Sequence, residues 1–180
     1  MKKILFVSLL SNLTLITFSQ NATNDRLRIA DEMGKSMRVE LLDKWYPQSL
    51  DTVYGGFLSS FTFDFKPTPN QDKMIVTQAR HVWSNSKASQ WYPDVRYFKS
   101  DAHHGFLFLR DVMWDKKLGG FYTLVDRQGN VKNGDSIKTA YGNAFAIFAL
   151  AAYFKASGDT SALTLARKAF TWLEKGNKNT

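Results

Sequence analysis

Apolar residues recur every three or four positions in four stretches of the chain, the spacing expected of amphipathic helices. The first stretch should end before Pro47, since proline cannot continue a helix. Asp94 and Asp159 stand where an N-cap is expected, ahead of the third and fourth stretches. The predicted helices cover residues 27–45, 72–88, 95–113 and 162–173.

A fifth predicted helix, residues 141–154, has a different pattern. Aromatic and aliphatic side chains surround its whole circumference, and Gly158 follows as a stop signal. A helix that is apolar all round is expected to be buried on every side. The alternation of amphipathic helices with a fully apolar one predicts an all-α fold in two concentric layers.

Two Gly-Gly-aromatic segments, at 54–57 and 118–122, separate these helices as an internal repeat of 64 residues. We align Trp45 with Trp114 ahead of the two segments, and residues 125–130 predict a hairpin turn after the second. Six such helical hairpins would need roughly 380 residues to close a ring. The pattern therefore predicts an incomplete (α/α)6-type barrel with short β-hairpin loops, completed by another chain or by further sequence.

Composition and the N-terminus bear on location and partners. Lys2 and Lys3 precede an apolar run at 4–18, too short and interrupted for a membrane anchor, so we expect a signal peptide over 1–20 and a domain over 21–180. The chain has no cysteine, which excludes disulfides and thiolate chemistry. We predict export, to a bacterial periplasm, with no membrane association after cleavage. The net charge of +8 is not clustered, so no nucleic-acid partner is expected, and the oligomeric state stays open.

The predicted second helix carries the most suggestive pair of side chains. Arg80 and Trp83 stand at i and i+3, so they share a helical face. An indole can stack on a sugar ring while a guanidinium holds a hydroxyl or an oxyanion. Tyr141 and Asn143 lie near the mouth of the fully apolar helix and could face the same cavity. The alternatives are an arginine packed over a core tryptophan, and a buried tyrosine bonded to the backbone.

Other polar residues give weaker signals. His81 lies off the face of Arg80, and His103 and His104 are adjacent, so they point in different directions and predict helix contacts, with no metal site. A glycosidase would need a pair of carboxylates, and no pair stands out among the aspartates at 64, 101, 111, 115 and 126.

Taken together, the motifs resemble the N-acylglucosamine 2-epimerase superfamily, and within it the cellobiose and mannobiose 2-epimerases. They are Tyr54-Gly55-Gly56-Phe57, Gln78-Ala79-Arg80 with Trp83, Trp114-Asp115 with Gly119-Gly120, and Lys138 with Tyr141-Gly142-Asn143-Ala144-Phe145. The resemblance implies an (α/α)6 barrel that binds a small-molecule carbohydrate and inverts C2 of its reducing end through an enediolate, without organic cofactor or metal.

The same resemblance implies roles for particular residues. Arg80 would be catalytic, stabilising the oxyanion, and Trp83 and Tyr141 would bind the sugar, with Asn143 replacing a glutamine that many members carry. Asn85 stands near a position where members commonly have phenylalanine. The family's catalytic histidines belong to later helices, so the chain as given is expected to be inactive. An aldose–ketose isomerase, a non-catalytic carbohydrate-binding half barrel and a glycoside hydrolase stay open as alternatives.

Overall fold

Helices make up most of what the computed structural model describes, which is residues 23–132 and 138–176. The chain divides into two units, Met1–Trp45 and Tyr46–Thr180. In the ranges described, no helix is long and apolar enough to cross a membrane. The predicted signal peptide lies outside these ranges and stays a prediction.

The first unit contains α1. It is α-helical over residues 23–35, π-helical over Ser36–Leu42 and α-helical again over Asp43–Trp45. Ion pairs between side chains four residues apart stabilise this helix, such as the pair of Arg28 and Glu32 at 2.8 Å. The helix predicted to end before Pro47 is confirmed.

The second unit holds four longer helices in two layers. They are α2 (Ile75–Trp91), α3 (Arg96–Phe108, continued by a π-helical turn Leu109–Met113), α4 (Ala140–Ser157) and α5 (Thr160–Gly176). The inner helices α2 and α4 pack against each other, while α3 packs on α2 and α5 packs on α4. The predicted all-α fold of helical hairpins in two layers is confirmed.

Two helix starts differ from prediction. α2 begins at Ile75, later than expected, because Lys73–Met74 forms strand β1 and pairs antiparallel with β2, Leu124–Val125. The predicted cap at Asp94 is wrong. The amide of Val95 bonds to the carbonyl of Tyr92 at 3.0 Å, and this turn makes Val95 the N-cap, without a side-chain bond.

The other helix termini follow the sequence signals. Gly158 ends α4 with φ 76°, and Asp159 Oδ1 accepts the amide of Ser161 at 2.9 Å at the start of α5. Thr139 Oγ1 accepts the amide of Gly142 at 3.0 Å and caps α4. The predicted hairpin turn is also present, closed by a bridge between Val125 and Val131.

The prediction that α4 is buried on every side is wrong. Tyr141 is 62% exposed and Phe148 is 55% exposed, although Ala146, Ala149 and Leu150 are fully buried. In the described ranges, α2, α3 and α5 pack on this helix and leave the stripe 141–145–148 uncovered. That stripe is therefore a surface of the described fold, not part of its core.

The internal repeat is confirmed at the level of single hydrogen bonds. Asp51 Oδ1 accepts the backbone amides two and three residues later, both at 3.2 Å; Asp115 Oδ1 does the same at 2.8 and 3.0 Å. Each loop then turns through two glycines with positive φ, 79° and 66° at Gly55-Gly56 and 74° and 77° at Gly119-Gly120.

A buried lysine joins each loop to the helix that follows. Lys73 Nζ lies 2.9 Å from Asp51 Oδ2 and 2.6 Å from the carbonyl oxygen of the loop's first glycine. Lys138 Nζ makes the equivalent contacts at 2.6 and 2.7 Å, with Asp115 as its carboxylate partner. Burial alone would raise the pKa of Asp115, but the hydrogen bonds from Lys138 and two backbone amides hold it well below its usual range.

The alignment of Trp45 with Trp114 is wrong. Trp114 forms a β-bridge with Phe121, and the equivalent bridge in the first loop joins Leu50 to Phe57. Leu50 precedes Trp114 by the same 64 positions that separate Asp51 from Asp115. Trp45 lies instead within α1.

Candidate functional site

The two inner helices are fixed to the Gly-Gly loops by side-chain amides at equivalent positions. Gln78 Oε1 accepts the amide of Phe57 and its Nε2 donates to the carbonyl of the same residue, both at 2.8 Å. In the second repeat Asn143 Oδ1 accepts the amide of Phe121 at 2.8 Å, and Nδ2 donates to its carbonyl at 3.4 Å. This pairing sets the height of α2 and α4 relative to their loops.

Asn143 is consequently occupied by the fold. Its side chain is fully buried, and Nδ2 also donates to the carbonyl of Thr139 at 2.9 Å. An amide with its donor and acceptor used by the backbone has little capacity left for a ligand. The surface that we consider for sugar binding therefore does not include Asn143.

The shared height brings Arg80 and Trp83 of α2 against two phenylalanines of α4. The Arg80 guanidinium lies 5.0 Å from the centre of the Phe145 ring, a cation–π contact. The Trp83 and Phe148 rings are stacked, with centroids 5.5 Å apart and planes inclined by 21°. Phe145 and Phe148 follow Arg80 and Trp83 by 65 positions, as Asn143 follows Gln78.

These side chains line a cleft with a volume of about 260 Å³, together with Ala79 and Ser84. Tyr141 adjoins it, with its ring 4.9 Å from that of Phe145 in an edge-to-face contact. Three of the four residues proposed from the sequence, Arg80, Trp83 and Tyr141, thus lie on one surface. Among the described residues, Arg80 is the sole ionisable group lining the cleft.

The arrangement combines flat apolar rings with one permanently charged donor. Aromatic faces accept the C–H faces of pyranose rings, and a guanidinium presents a fixed fork of N–H donors to oxygen. Arg80 is exposed, so its guanidinium is open to a ligand from solvent. Such a cleft is suited to a polar, uncharged ring compound that develops a negative oxygen during the reaction.

Comparison with known proteins identifies the family of this chain. Residues 55–180 match the model of the family described as N-acylglucosamine 2-epimerase (GlcNAc 2-epimerase). The chain belongs to the N-acylglucosamine 2-epimerase family. It is 32% identical to the cellobiose 2-epimerase of Ruminococcus albus over 146 residues, covering 79% of this chain and 37% of that protein. For the cellobiose 2-epimerase of Dictyoglomus turgidum the identity is 35% over 153 residues, covering 84% and 38%.

Solved epimerase structures share the fold. The structure of the cellobiose 2-epimerase from Spirochaeta thermophila superposes with a TM-score of 0.76 at 36% identity, covering 82% of this chain and 36% of that one. The helical hairpins of this epimerase-family chain accordingly form part of an (α/α)6 barrel, as predicted. The chain spans little more than a third of the length of the relatives that it matches.

The three histidines of this family member are used in packing. His81 Nδ1 is 2.8 Å from the Tyr46 hydroxyl, and the imidazole stacks on Phe57 with centroids 4.5 Å apart. Burial lowers the pKa of His81 to about 4, so it is neutral at pH 7. None of the three belongs to the described residues that line the Arg80 cleft.

His103 and His104 contact other parts of the fold, as the sequence predicted. His103 Nδ1 is 2.7 Å from the hydroxyl of Tyr153, and His104 Nε2 donates to the carbonyl of Gly56 at 3.1 Å. Within residues 23–132 and 138–176, no three acidic or histidine side chains come together as a metal site would need.

The aspartates considered for hydrolysis are likewise engaged elsewhere. Asp115 holds Lys138, Asp126 caps its turn through Asn130, and Asp111 pairs with the neighbouring arginine. Asp64 is held by Thr62, and Asp101 is buried on α3. No member of this set lines the described Arg80 cleft.

Phe145 and Phe148 are the site residues that the sequence analysis missed. The sequence predicts them as core residues, because α4 is apolar on every face. The signal that could have found them is the repeat itself. Moving 65 positions on from Arg80 and Trp83 leads to these two phenylalanines, and equivalent positions of neighbouring inner helices face each other in the fold.

Proposed function

We propose that this chain supplies one side of the sugar cavity of a 2-epimerase that acts on the reducing end of a gluco- or manno-disaccharide such as cellobiose or mannobiose. The observation that carries the proposal is the cleft in which Arg80 faces Phe145 and Trp83 stacks on Phe148. The relatives named as cellobiose 2-epimerases support the substrate class.

The chemistry explains why these residue types are needed. Inverting C2 requires removal of a proton next to the carbonyl of the open-chain sugar, which leaves a negative oxygen in an enediolate. A positioned donor such as Arg80 stabilises that oxygen more than it stabilises the neutral carbonyl, and so lowers the barrier. Trp83, Phe148 and Tyr141 hold the sugar in the orientation that the proton transfer requires.

We further propose that the chain as given binds the sugar without turning it over. General base catalysis needs a basic group within hydrogen-bond reach of the C2 proton. The histidines at 81, 103 and 104 are bonded to Tyr46, Tyr153 and the carbonyl of Gly56, away from the cleft. The base would then have to come from sequence beyond the described residues or from another chain.

Proton exchange tests this proposal. The chain is incubated with cellobiose or mannobiose in D₂O, and deuterium at C2 is followed by NMR. We expect saturable binding and no deuterium at C2. Incorporation of deuterium would show that this chain contains its own base. A ketose product would indicate an aldose–ketose isomerase, and free monosaccharide would indicate a hydrolase.

Substitutions in the cleft test the binding surface. Arg80→Met and Trp83→Leu should each weaken cellobiose binding about tenfold or more, because a charged hydrogen bond or a stacking face is lost. Trp91→Leu, at the exposed end of the same helix, is the matched control and should bind as the native chain does. Equal affinities in all four proteins would overturn the assignment.

A further inference from the structure

The side chains that line the Arg80 cleft differ in the hydrogen bonds that they can make. The guanidinium and the indole carry N–H donors and no acceptor, and the alanine and the two phenylalanines offer neither. Ser84 is the remaining lining residue, and a hydroxyl is both a donor and an acceptor. Among the described residues that line the cleft, Ser84 therefore supplies the one side-chain acceptor.

A sugar needs such an acceptor. Each sugar hydroxyl carries a proton as well as lone pairs, so a cleft that offers donors alone leaves hydroxyl protons unpaired when the ligand displaces water. A polar group that loses water without gaining a partner weakens binding. The acceptor at Ser84 therefore affects which sugars the cleft binds well.

Ser84 lies on the same side of α2 as Arg80. The two residues are four positions apart, which is about one helical turn and roughly 6 Å along the helix axis. Arg80 is exposed and Ser84 is partly exposed, so both can be reached from the cleft. A sugar that places one oxygen at Arg80 can place a second hydroxyl at Ser84.

The hydroxyl of Ser84 is not used by its own helix. Serines within helices often bond to a backbone carbonyl of the preceding turn. In α2, Ser86 Oγ donates to the carbonyl of Val82 at 2.7 Å, and Ser89 Oγ donates to the carbonyl of Ser86 at 2.9 Å. Over the described length of α2, no such bond ties the Ser84 hydroxyl to the backbone.

A buried tyrosine orients the Ser84 hydroxyl instead. Burial raises the pKa of Tyr46, and a hydrogen bond from the Ser84 side chain to the phenolic oxygen acts against that rise. The Tyr46 hydroxyl is also 2.8 Å from Nδ1 of His81, whose neutral ring can accept the phenolic proton. With its own proton directed to Tyr46, Ser84 presents the lone pairs of its oxygen to the cleft.

We propose that Ser84 is a specificity-determining residue of the Arg80 cleft, and that it accepts a hydrogen bond from a sugar hydroxyl that takes no part in the epimerisation. The inference rests on the proposed function, in which Arg80 holds an oxygen at the reacting carbons, C1 and C2. In a 4-linked disaccharide such as cellobiose, the reducing ring has two further free hydroxyls, at C3 and C6. A contact with either one serves glucose and mannose alike, since these sugars differ at C2 alone.

Deoxygenated analogues test the role of Ser84. Calorimetric titration of the chain compares cellobiose with two analogues that lack the hydroxyl at C3 or at C6 of the reducing ring. We expect one analogue to bind about three- to tenfold more weakly than cellobiose, because one neutral hydrogen bond is lost. In Ser84→Ala, cellobiose should bind as weakly as that analogue, so that the difference disappears. Ser84→Thr keeps a hydroxyl and should retain the difference.

The control and the contrary outcomes separate this inference from the proposed function. Ser100→Ala removes an exposed hydroxyl from α3 and should leave all affinities unchanged. The inference alone is overturned if cellobiose binds and both analogues bind the native chain equally tightly, or if Ser84→Ala still discriminates against the weaker analogue. A lack of saturable cellobiose binding would overturn the proposed function, and this inference with it.

Discussion

His81 and Asp101 are buried titratable residues whose effects on stability oppose each other. His81 bonds to Tyr46, and Asp101 interacts electrostatically with the same tyrosine. Asp101 is 3% exposed, and its Oδ2 has no hydrogen-bond partner among the described residues. Burial lowers the pKa of His81 to about 4 and raises the pKa of Asp101 to about 6.

The two shifts change the free energy of unfolding in opposite directions over nearly the same pH range. The unfolded chain binds a proton on His81 that the native state lacks, so His81 makes the protein more stable as the pH rises from 4 to 6.5. The native state binds a proton on Asp101 that the unfolded chain lacks, so Asp101 makes it less stable as the pH rises from 3.8 to about 6.

Substitution should separate these contributions. Asp101→Asn removes the loss of stability that Asp101 causes as the pH rises, and the gain from His81 remains. The free energy of unfolding of this variant should therefore rise between pH 4 and 6.5, by on the order of 3 kcal/mol relative to the native profile. In His81→Gln it should fall over that range. Urea unfolding at successive pH values measures both profiles, and parallel profiles for the native chain and Asp101→Asn would contradict the account.

At the scale of the elements, the Gly-Gly loops depend on close packing as well as on backbone conformation. Gly56 has φ 66°, and a Cβ there would lie 2.7 Å from Gln78 Oε1 and 2.8 Å from the Phe108 ring. Gly158 has a similar φ of 76° at the end of α4, but a Cβ would meet nothing within 4 Å. The two glycines share a backbone conformation but differ in the space available for a side chain.

Alanine at these positions should therefore have unequal costs. Gly158→Ala carries the left-handed backbone penalty alone, about 1 kcal/mol. Gly56→Ala adds overpacking against Phe108 and displaces the amide of Gln78, so its loss should be larger by about 1–3 kcal/mol. Equilibrium urea unfolding of both variants gives the difference. Equal losses would mean that the loop relaxes without disturbing the side chains packed on it.

The elements that the sequence predicted well are those with local signals. Helix periodicity, the αL stop at Gly158 and the cap at Asp159 need no distant partner. The sequence predicts the start of α2 too early, because strand β1 exists through pairing with residues 50 and 52 positions away. Asp94 has the residue type of an N-cap, but Pro93 and Asp94 are the central residues of the turn that makes Val95 the N-cap.

The candidate site was predictable in part for the same reason. Arg80 and Trp83 were found because they share a face of one helix. The sequence predicts Asn143 as a cavity residue. Its hydrogen bonds to Phe121 join residues 22 positions apart, and the pattern around Asn143 does not indicate them. Its role as the equivalent of Gln78 becomes visible when the two repeats are superposed, and the same comparison identifies Phe145 and Phe148.

At the scale of the whole molecule, an apolar stripe on a helix can be part of the core or an exposed surface, and composition does not distinguish the two. The sequence predicts Phe145 and Phe148 as core and Tyr141 as a residue of the cavity, whereas in the structure all three lie on one surface beside Arg80 and Trp83. In a layered barrel the inner helices pack outward on their partners and present a second face to the lumen. The proposed function depends on the aromatic residues of that second face binding the sugar.

The indole NMR signals of the ¹⁵N-labelled chain test that assignment most directly. The protein has 5 tryptophans, and Trp83 is the one that lines the Arg80 cleft. During a cellobiose titration we predict a saturable shift of the Trp83 indole N–H signal, while the signals of Trp91 and Trp114 stay in place. An unmoved Trp83 signal at saturating cellobiose, or a shift confined to Trp114 and Trp172, would contradict the account.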